Sequence, residues 1–287
     1  MSESHWLAEQ FEENRGHLRG VAYRMLGSLS EADDAIQECW LRLSRSDTDI
    51  IENLRGWLTT VVSRICLDML RSRKSRREEP LEVATPEPAA DPETEAVLAD
   101  SVGYATLVVL NRLNPPERIA FVLHDLFDVP FEEIARITGR SAEAARQLAS
   151  RARRRVRGVT TLPENELAQQ RSLVENFLTA LRSGDATKLV ELLDPAFAVD
   201  ATTVPPGVVP TDIRGAEAWA KQAIQAARGA RFARPAMVEG SVGLIVAPRG
   251  RLFRALRFTF ANGRIAAMEV IGDPERLRSI EISVVDR

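Results

Sequence analysis

The chain has 287 residues, 45% of them hydrophobic and 28% charged, with a formal net charge of −3, which is ordinary soluble globular material long enough for two or three domains. No stretch approaches transmembrane length, and the N-terminus MSESHWLAEQFEENRG lacks the basic start and apolar run of a signal peptide, so a cytoplasmic protein with no membrane partner is expected. The overall charge does not by itself suggest a nucleic-acid partner, but the cations are local: Arg71, Arg73, Lys74, Arg76 and Arg77 form one cluster and residues 141 to 157 hold another.

Taken in chain order, Leu18, Val21, Ala22, Met25 and Leu26 make one helical stripe that Gly27 ends. Ser30 is expected to cap a second helix, in which Ile36, Cys39, Trp40 and Leu43 share a face. Asn53 opens a third, with Leu58, Val61, Val62, Ile65 and Met69 on its buried side. Cys39 and Cys66 fall on apolar faces and read as buried free thiols, and without a CxxC or Cys/His cluster neither a metal site nor a cofactor is expected. Residues 78 to 95 carry Pro80, Pro86, Pro88 and Pro92 without apolar period and read as an exposed linker.

The next segment, about 96 to 158, is again helical. Asn114 followed by Pro115 and Glu117 signals a helix start, with Ile119, Val122, Leu123 and Leu126 as its core face. A short amphipathic helix follows on Phe131, Ile134, Ala135 and Thr138, then a tight turn at Gly139-Arg140. Ser141 suits the N-cap of the run SAEAARQLASRARRRVR. There Ala145, Leu148, Ala149, Ala152 and Val156 form an apolar stripe, while Arg146, Gln147, Ser150, Arg153, Arg154 and Arg157 lie outside it. Short helix, glycine turn and a helix with an arginine-rich outer face make a helix-turn-helix, whose second helix enters the DNA major groove.

The break at residues 159 to 165 precedes a third unit, about 164 to 287, of different character. Helices are expected on Val174, Phe177 and Leu178, stopped by Gly184, then on Leu189, Leu192 and Leu193, then on Trp219, Ala223 and Ala227. Beyond Arg231 the period becomes two, through Val238, Val242, Leu244 and Val246 and then Leu256, Phe258 and Phe260, with Asn262-Gly263 as a hairpin turn. Helices followed by a curved antiparallel meander predict an α+β domain with a cavity between its layers, with room for a small ligand. The expected fold is therefore multidomain: two all-α domains, residues 1–77 and 96–158, followed by an α+β domain.

Together, EADDAIQECWLRL (31 to 43), LRGWLTTVVSRICLDMLRSRKSRR (54 to 77) and PFEEIARITGRSAEAARQLASRARRRV (130 to 156) resemble, in order and spacing, a bacterial sigma factor of the extracytoplasmic-function group. The resemblance implies a sigma region 2, a sigma region 4, and core RNA polymerase and promoter DNA as partners. Asp33, Asp34, Gln37 and Glu38 would meet the clamp helices of the polymerase β′ subunit, and region 4 the β flap. Ser63 and Arg64 would sit where the −10 base is inspected, with Arg71, Arg73 and Lys74 on phosphates; Arg64 serves either a base contact or a structural salt bridge. The −35 contacts would lie on Arg146, Gln147, Ser150 and Arg151, flanked by Arg153 and Arg154.

The C-terminal unit resembles the SnoaL-like domain of one sigma subgroup, which implies regulation by an intramolecular contact with the linker. The residues carrying that expectation are Thr85, Pro86, Glu87 and Pro88, then Asp200, then Asp273, Pro274, Glu275, Arg276 and Leu277, a variant of the subgroup's NPDKL tail. Its glycine-rich motif near Asp200 has no counterpart in Ala201-Thr202-Thr203. Some SnoaL-like domains are enzymes, but His5, His17 and His124 all lie outside this unit, and Asp200 alone supplies no catalytic set. The reading is a non-enzymatic sigma factor modulated by its own C-terminal domain. The alternatives are a ligand-sensing helix-turn-helix regulator and a SnoaL-like enzyme with a DNA-binding appendage.

Overall fold

Helical periodicity in the N-terminal segment becomes a three-helix bundle in the computed structural model, which describes residues 3–46, 51–76, 104–158, 162–203, 215–225 and 227–285. Residues 85–88 lie outside the described residues. Helices α1 (Glu3–Leu26), α2 (Leu29–Leu43) and α3 (Leu54–Arg76) pack on one another through Leu18, Ile36, Cys39, Leu58 and Cys66, all fully buried. Helix α2 starts two residues earlier than the sequence suggests. Ser28, in extended conformation, holds the cap position without a side-chain bond, and Ser30 lies inside the first turn. Asn53 does open α3, its Oδ1 accepting from Gly56 N at 3.0 Å.

Helices α4 (Tyr104–Arg112), α5 (Pro115–Phe121), α6 (Phe131–Thr138) and α7 (Ala142–Arg157) follow. The Asn114 side chain caps α5 by accepting from Glu117 N at 3.0 Å. After α5 the chain makes a wider π-helical turn, Val122–Leu126. That turn rotates the register, so Leu126, expected on the core face, is 38% exposed.

Two compact units result: Met1–Gly103 with Leu110–Arg154, and Tyr104–Val109 with Arg155–Arg287. The first therefore joins both helical segments. Within it α3 packs against α5 and α6. Arg118 is only 3% exposed. It donates to Leu110 O and Met25 O, both at 2.6 Å, and to Asn111 Oδ1 at 2.8 Å. A buried guanidinium is tolerable there because its hydrogens meet fixed acceptors.

The second unit layers α8 (Glu164–Ser183), α9 (Ala186–Leu192) and α10 (Ala216–Gln225) on a six-stranded sheet of order β1-β5-β4-β3-β2-β6. Its strands are β1 (Leu193–Thr203), β2 (Ala233–Val238), β3 (Ser241–Val246), β4 (Arg254–Ala261), β5 (Arg264–Ile271) and β6 (Ile282–Ser283), with a short α11 (Pro274–Ser279) before β6. The expected α+β layering and the Asn262-Gly263 hairpin are present, with φ of 53° and 71° in that turn. The sheet is not wholly a meander, because β1 runs parallel to β5, Val199 opposite Met268. That placement turns Phe197 and Val199 toward Trp219 and Ala220 of α10 and buries both. The expected cavity between the layers is largely occupied. Phe177, Phe197, Trp219 and Phe258 pack ring to ring there with centroids 5.2 to 5.6 Å apart. A hollow of about 540 Å³ opens instead where α9, β1, α10 and β5 begin to meet, lined by Val190, Leu193, Pro195, Glu217, Lys221 and Arg264 among others, and not by Asp200.

Candidate nucleic-acid interface

The helix-turn-helix is built as its residues dictate. Gly139, at φ 69°, closes α6 in the left-handed conformation that a side chain would disfavour. Ser141 Oγ then accepts from Ala144 N at 3.1 Å and starts α7. Ala145, Leu148, Ala149, Ala152 and Val156 are buried, which turns Arg146, Gln147, Ser150, Arg151 and Arg154 to solvent and leaves Arg153 half-buried.

Several of these arginines already hold carboxylates. Arg146 lies 3.3 Å from Glu132 and 3.6 Å from Glu143, with its guanidinium 5.5 Å above the Phe131 ring. Arg153 is 2.6 Å from Asp125. Arg151 donates to Glu117 at 3.2 Å, and that carboxylate is almost fully buried. The Arg146 pairs are exposed and contribute little stability, so a phosphate or base can replace them readily. The Arg151 pair differs, because its carboxylate is almost fully buried and losing a cation there costs more.

On α3 the expected −10 residues divide. Ser63 is fully buried and donates to Thr59 O at 2.6 Å, so its hydroxyl points along its own helix. Arg64 is exposed and donates to Arg136 O, in the last turn of α6, at 3.2 Å; its partner is a carbonyl and not a carboxylate. Arg71 is exposed, 3.9 Å from Asp68. Arg73 pairs with Glu31 and donates to Leu26 O at 3.2 Å. The Lys74 side chain lies outside the described residues.

The acidic stripe of α2 presents Asp34 and Gln37 to solvent. Asp33 accepts from Arg19 of α1 at 2.9 Å, and Glu38 from Arg42 one turn on at 2.9 Å. Leu41, 39% exposed, continues the same line. Trp40 packs into the bundle beside Phe11, centroids 5.1 Å apart.

In the C-terminal unit Asp200 is exposed on β1. The Asp273–Leu277 segment does local structural work that sequence reasoning missed. Asp273 caps α11 by accepting from Arg276 N at 2.7 Å, Pro274 takes the first turn, Glu275 is exposed and Leu277 is buried. The Arg276 guanidinium reaches Glu239 at 2.7 Å in the β2–β3 turn. An acid followed directly by proline, with an apolar residue four positions after the acid, was the legible signal. Arg118, by contrast, carries no sequence mark that separates it from a surface arginine.

Burial pushes the Cys39 thiol up to about 12 and drives that of Cys66 higher still, so both stay protonated and unreactive. His17 is held below 6.5 by burial and by the neighbouring Arg55 guanidinium. Among the described residues no helix is long and apolar enough to cross a membrane.

Comparison with known proteins agrees with this arrangement of helices. Residues 10–76 match Sigma-70 region 2, and residues 105–156 match Sigma-70, region 4. The chain is 40% identical over 267 residues to the ECF RNA polymerase sigma factor SigJ of Mycobacterium tuberculosis, covering 90% of this chain and 79% of that protein. It is 38% identical over 204 residues to the probable ECF RNA polymerase sigma factor SigI of the same species, covering 69% of this chain and 70% of that one. The crystal structure of Mycobacterium tuberculosis SigJ aligns over 94% of this chain and 98% of its own, at 33% identity and a TM-score of 0.47. With a relative of 40% identity covered over most of its length and both sigma-70 regions in their order, the chain belongs to the extracytoplasmic-function family of RNA polymerase sigma factors.

Proposed function

We propose that this sigma factor binds core RNA polymerase in the cytoplasm through the α2 stripe, reads promoter DNA with α3 and α7, and is modulated by its C-terminal unit without catalysing a reaction. Asp33, Asp34, Gln37 and Glu38 offer carboxylates and an amide to cationic clamp helices of the β′ subunit, where paired potentials set register. The β flap is the corresponding partner of region 4. Arg64, with Arg71, Arg73 and Lys74, serves the −10 element, while Ser63, buried and bonded to Thr59 O, stays inside the bundle; Arg146, Gln147, Ser150, Arg151, Arg153 and Arg154 serve the −35 element.

The observation that carries this reading is the pairing, on one chain, of both sigma-70 regions with exposed polar residues where each surface needs them. The contact of α3 with α6 adds a mechanism. Promoter elements some 25 base pairs apart are roughly 80 Å distant along B-DNA at about 3.4 Å per pair. Helices in contact cannot span that distance, so binding must part region 4 from region 2, breaking the Arg64–Arg136 O and Arg118–Met25 O bonds. Polymerase supplies the differential binding energy for that opening. Docking of the C-terminal unit on the linker, through residues 85–88 and the Asp200 and Asp273–Leu277 elements, biases the same equilibrium.

Run-off transcription with purified core polymerase and a cognate promoter tests the reading. Promoter-specific transcripts that need this chain are expected. DNA binding without any polymerase-dependent transcript would favour a ligand-sensing regulator instead.

A further inference from the structure

The end of the C-terminal sheet remote from the β2–β3 turn gathers cations. Ala233 stands opposite Val246, and Val246 opposite Arg254. Ala247 N donates to Phe232 O at 3.3 Å, and Phe253 N to Val246 O at 2.9 Å. These pairings bring Arg231, Phe232, Arg234, Arg251, Phe253 and Arg254 to one rim. Arg182, in the last turn of α8, reaches the same place and donates to Ala230 O at 3.1 Å and Ala233 O at 2.7 Å. Between Ala226 and Arg254 the only acid is Glu239, which sits in the turn at the other end, held by Arg276.

The rim is ordered as well as charged. Arg231 stacks 4.5 Å from the Phe232 centroid, and Arg254 lies 4.9 Å from that of Phe253, a ring that is 50% exposed. Stacking restrains these guanidinium groups, whose forked N–H donors suit phosphate oxygens taken in pairs. Burial and the charge of Arg234 both weaken protonation of Arg182. Like charges gathered in this way repel until an anion joins them.

We propose that this rim docks the phosphodiester backbone of duplex DNA, as a third nucleic-acid surface separate from the two promoter-reading helices. Backbone is the occupant that suits it. The cations are spread along an exposed edge and not around a pocket, so they match a line of phosphates better than one small anion. The contact positions without reading sequence. It rests on the family's DNA-reading helices to bring duplex close, because a tethered surface then works at millimolar effective concentration.

The test uses the full chain and a labelled duplex of arbitrary sequence, titrated by fluorescence anisotropy from 50 to 200 mM salt. Arg231 and Arg251 are exposed, so the double variant R231A/R251A should keep its fold by circular dichroism. Each lost phosphate contact removes about 0.9 from the slope of log K against log salt. Over that fourfold rise the wild type should therefore lose about tenfold more affinity than the variant. R231K/R251K should retain most of the wild-type slope. Equal slopes for wild type and R231A/R251A overturn the proposal, as does a wild type that fails to bind at 50 mM. A variant that binds DNA normally but core polymerase weakly also overturns it, and assigns the rim to an acidic protein surface. Run-off transcription with R231A/R251A separates this result from the sigma reading, since promoter-specific transcripts should persist.

Discussion

At the residue scale, arginines on one helix divide by what they hold. Arg151 neutralises a carboxylate that is almost fully buried, whereas Arg154 is exposed. Arg151→Ala should therefore cost about 1–2 kcal/mol of stability, less than a wholly buried pair because the arginine is itself half-exposed. Urea unfolding measures this, and Arg154→Ala should leave the midpoint unchanged while weakening DNA binding on all sequences alike. A second prediction concerns α2. Asp34 is exposed, so Asp34→Lys should abolish binding to core polymerase in titration and leave the circular-dichroism spectrum and melting temperature as they were. Wild-type affinity in that variant would remove α2 from the interface. The sequence revealed which residues lie on the polar face of α7, because the apolar stripe left no other choice. It did not reveal which of them were engaged, since Glu117 and Asp125 come from elsewhere in the chain. Ser63 was misleading for a different reason. A hydroxyl that bonds back to the carbonyl four residues earlier can be buried at no polar cost, and nothing in its spacing announces that.

At the scale of elements, starts and stops were the most legible features. Asn53, Asn114, Ser141, Gly139 and Gly184 all stand where helix ends need them. Such signals are local, and local chemistry is what a sequence states directly. The parallel pairing of β1 with β5 was not legible, because it joins segments far apart and each strand alone reads the same in either direction. One glycine has a use that only the structure shows. Gly158 has φ 67°, and a Cβ there would run into the Ser283 side chain. Gly158→Ala should destabilise the C-terminal unit by about 1–3 kcal/mol in thermal or urea unfolding. Adding Ser283→Gly should restore the steric part and leave the backbone part. The α1–α3 bundle has a pH signature. His17 faces Arg55, Thr59 and the Phe127 ring, and its folded value lies below 6.5. The unfolded chain then binds the proton more readily, so stability is full above 6.5 and falls as pH drops through the lowered folded value. His17→Gln should flatten that dependence in urea midpoints measured between pH 7.5 and 5.

At the scale of the whole molecule, the compact units do not follow the order of the chain. Residues Tyr104–Val109 cluster with the C-terminal unit, as do Arg155–Arg157, so removing residues 165–287 takes away most of that unit and leaves these short segments behind. Such a truncation should change run-off transcription several-fold at matched concentration, and equal transcription would end the regulatory reading of the C-terminal unit. Region identity was legible at this scale because three motifs stood in a fixed order. The regrouping was not, because it depends on long-range packing. It also has a consequence for synthesis on the ribosome. The α1–α3 bundle uses contacts made early and can form as its own residues emerge. The C-terminal sheet is complete only when β1 has paired with β5 and β2 with β6, the last of the described strands. At about 5–20 residues per second that delay is on the order of ten seconds or more. During it region 2 exists folded before the unit proposed to restrain it. A newly made chain can thus meet polymerase before the C-terminal unit is in place.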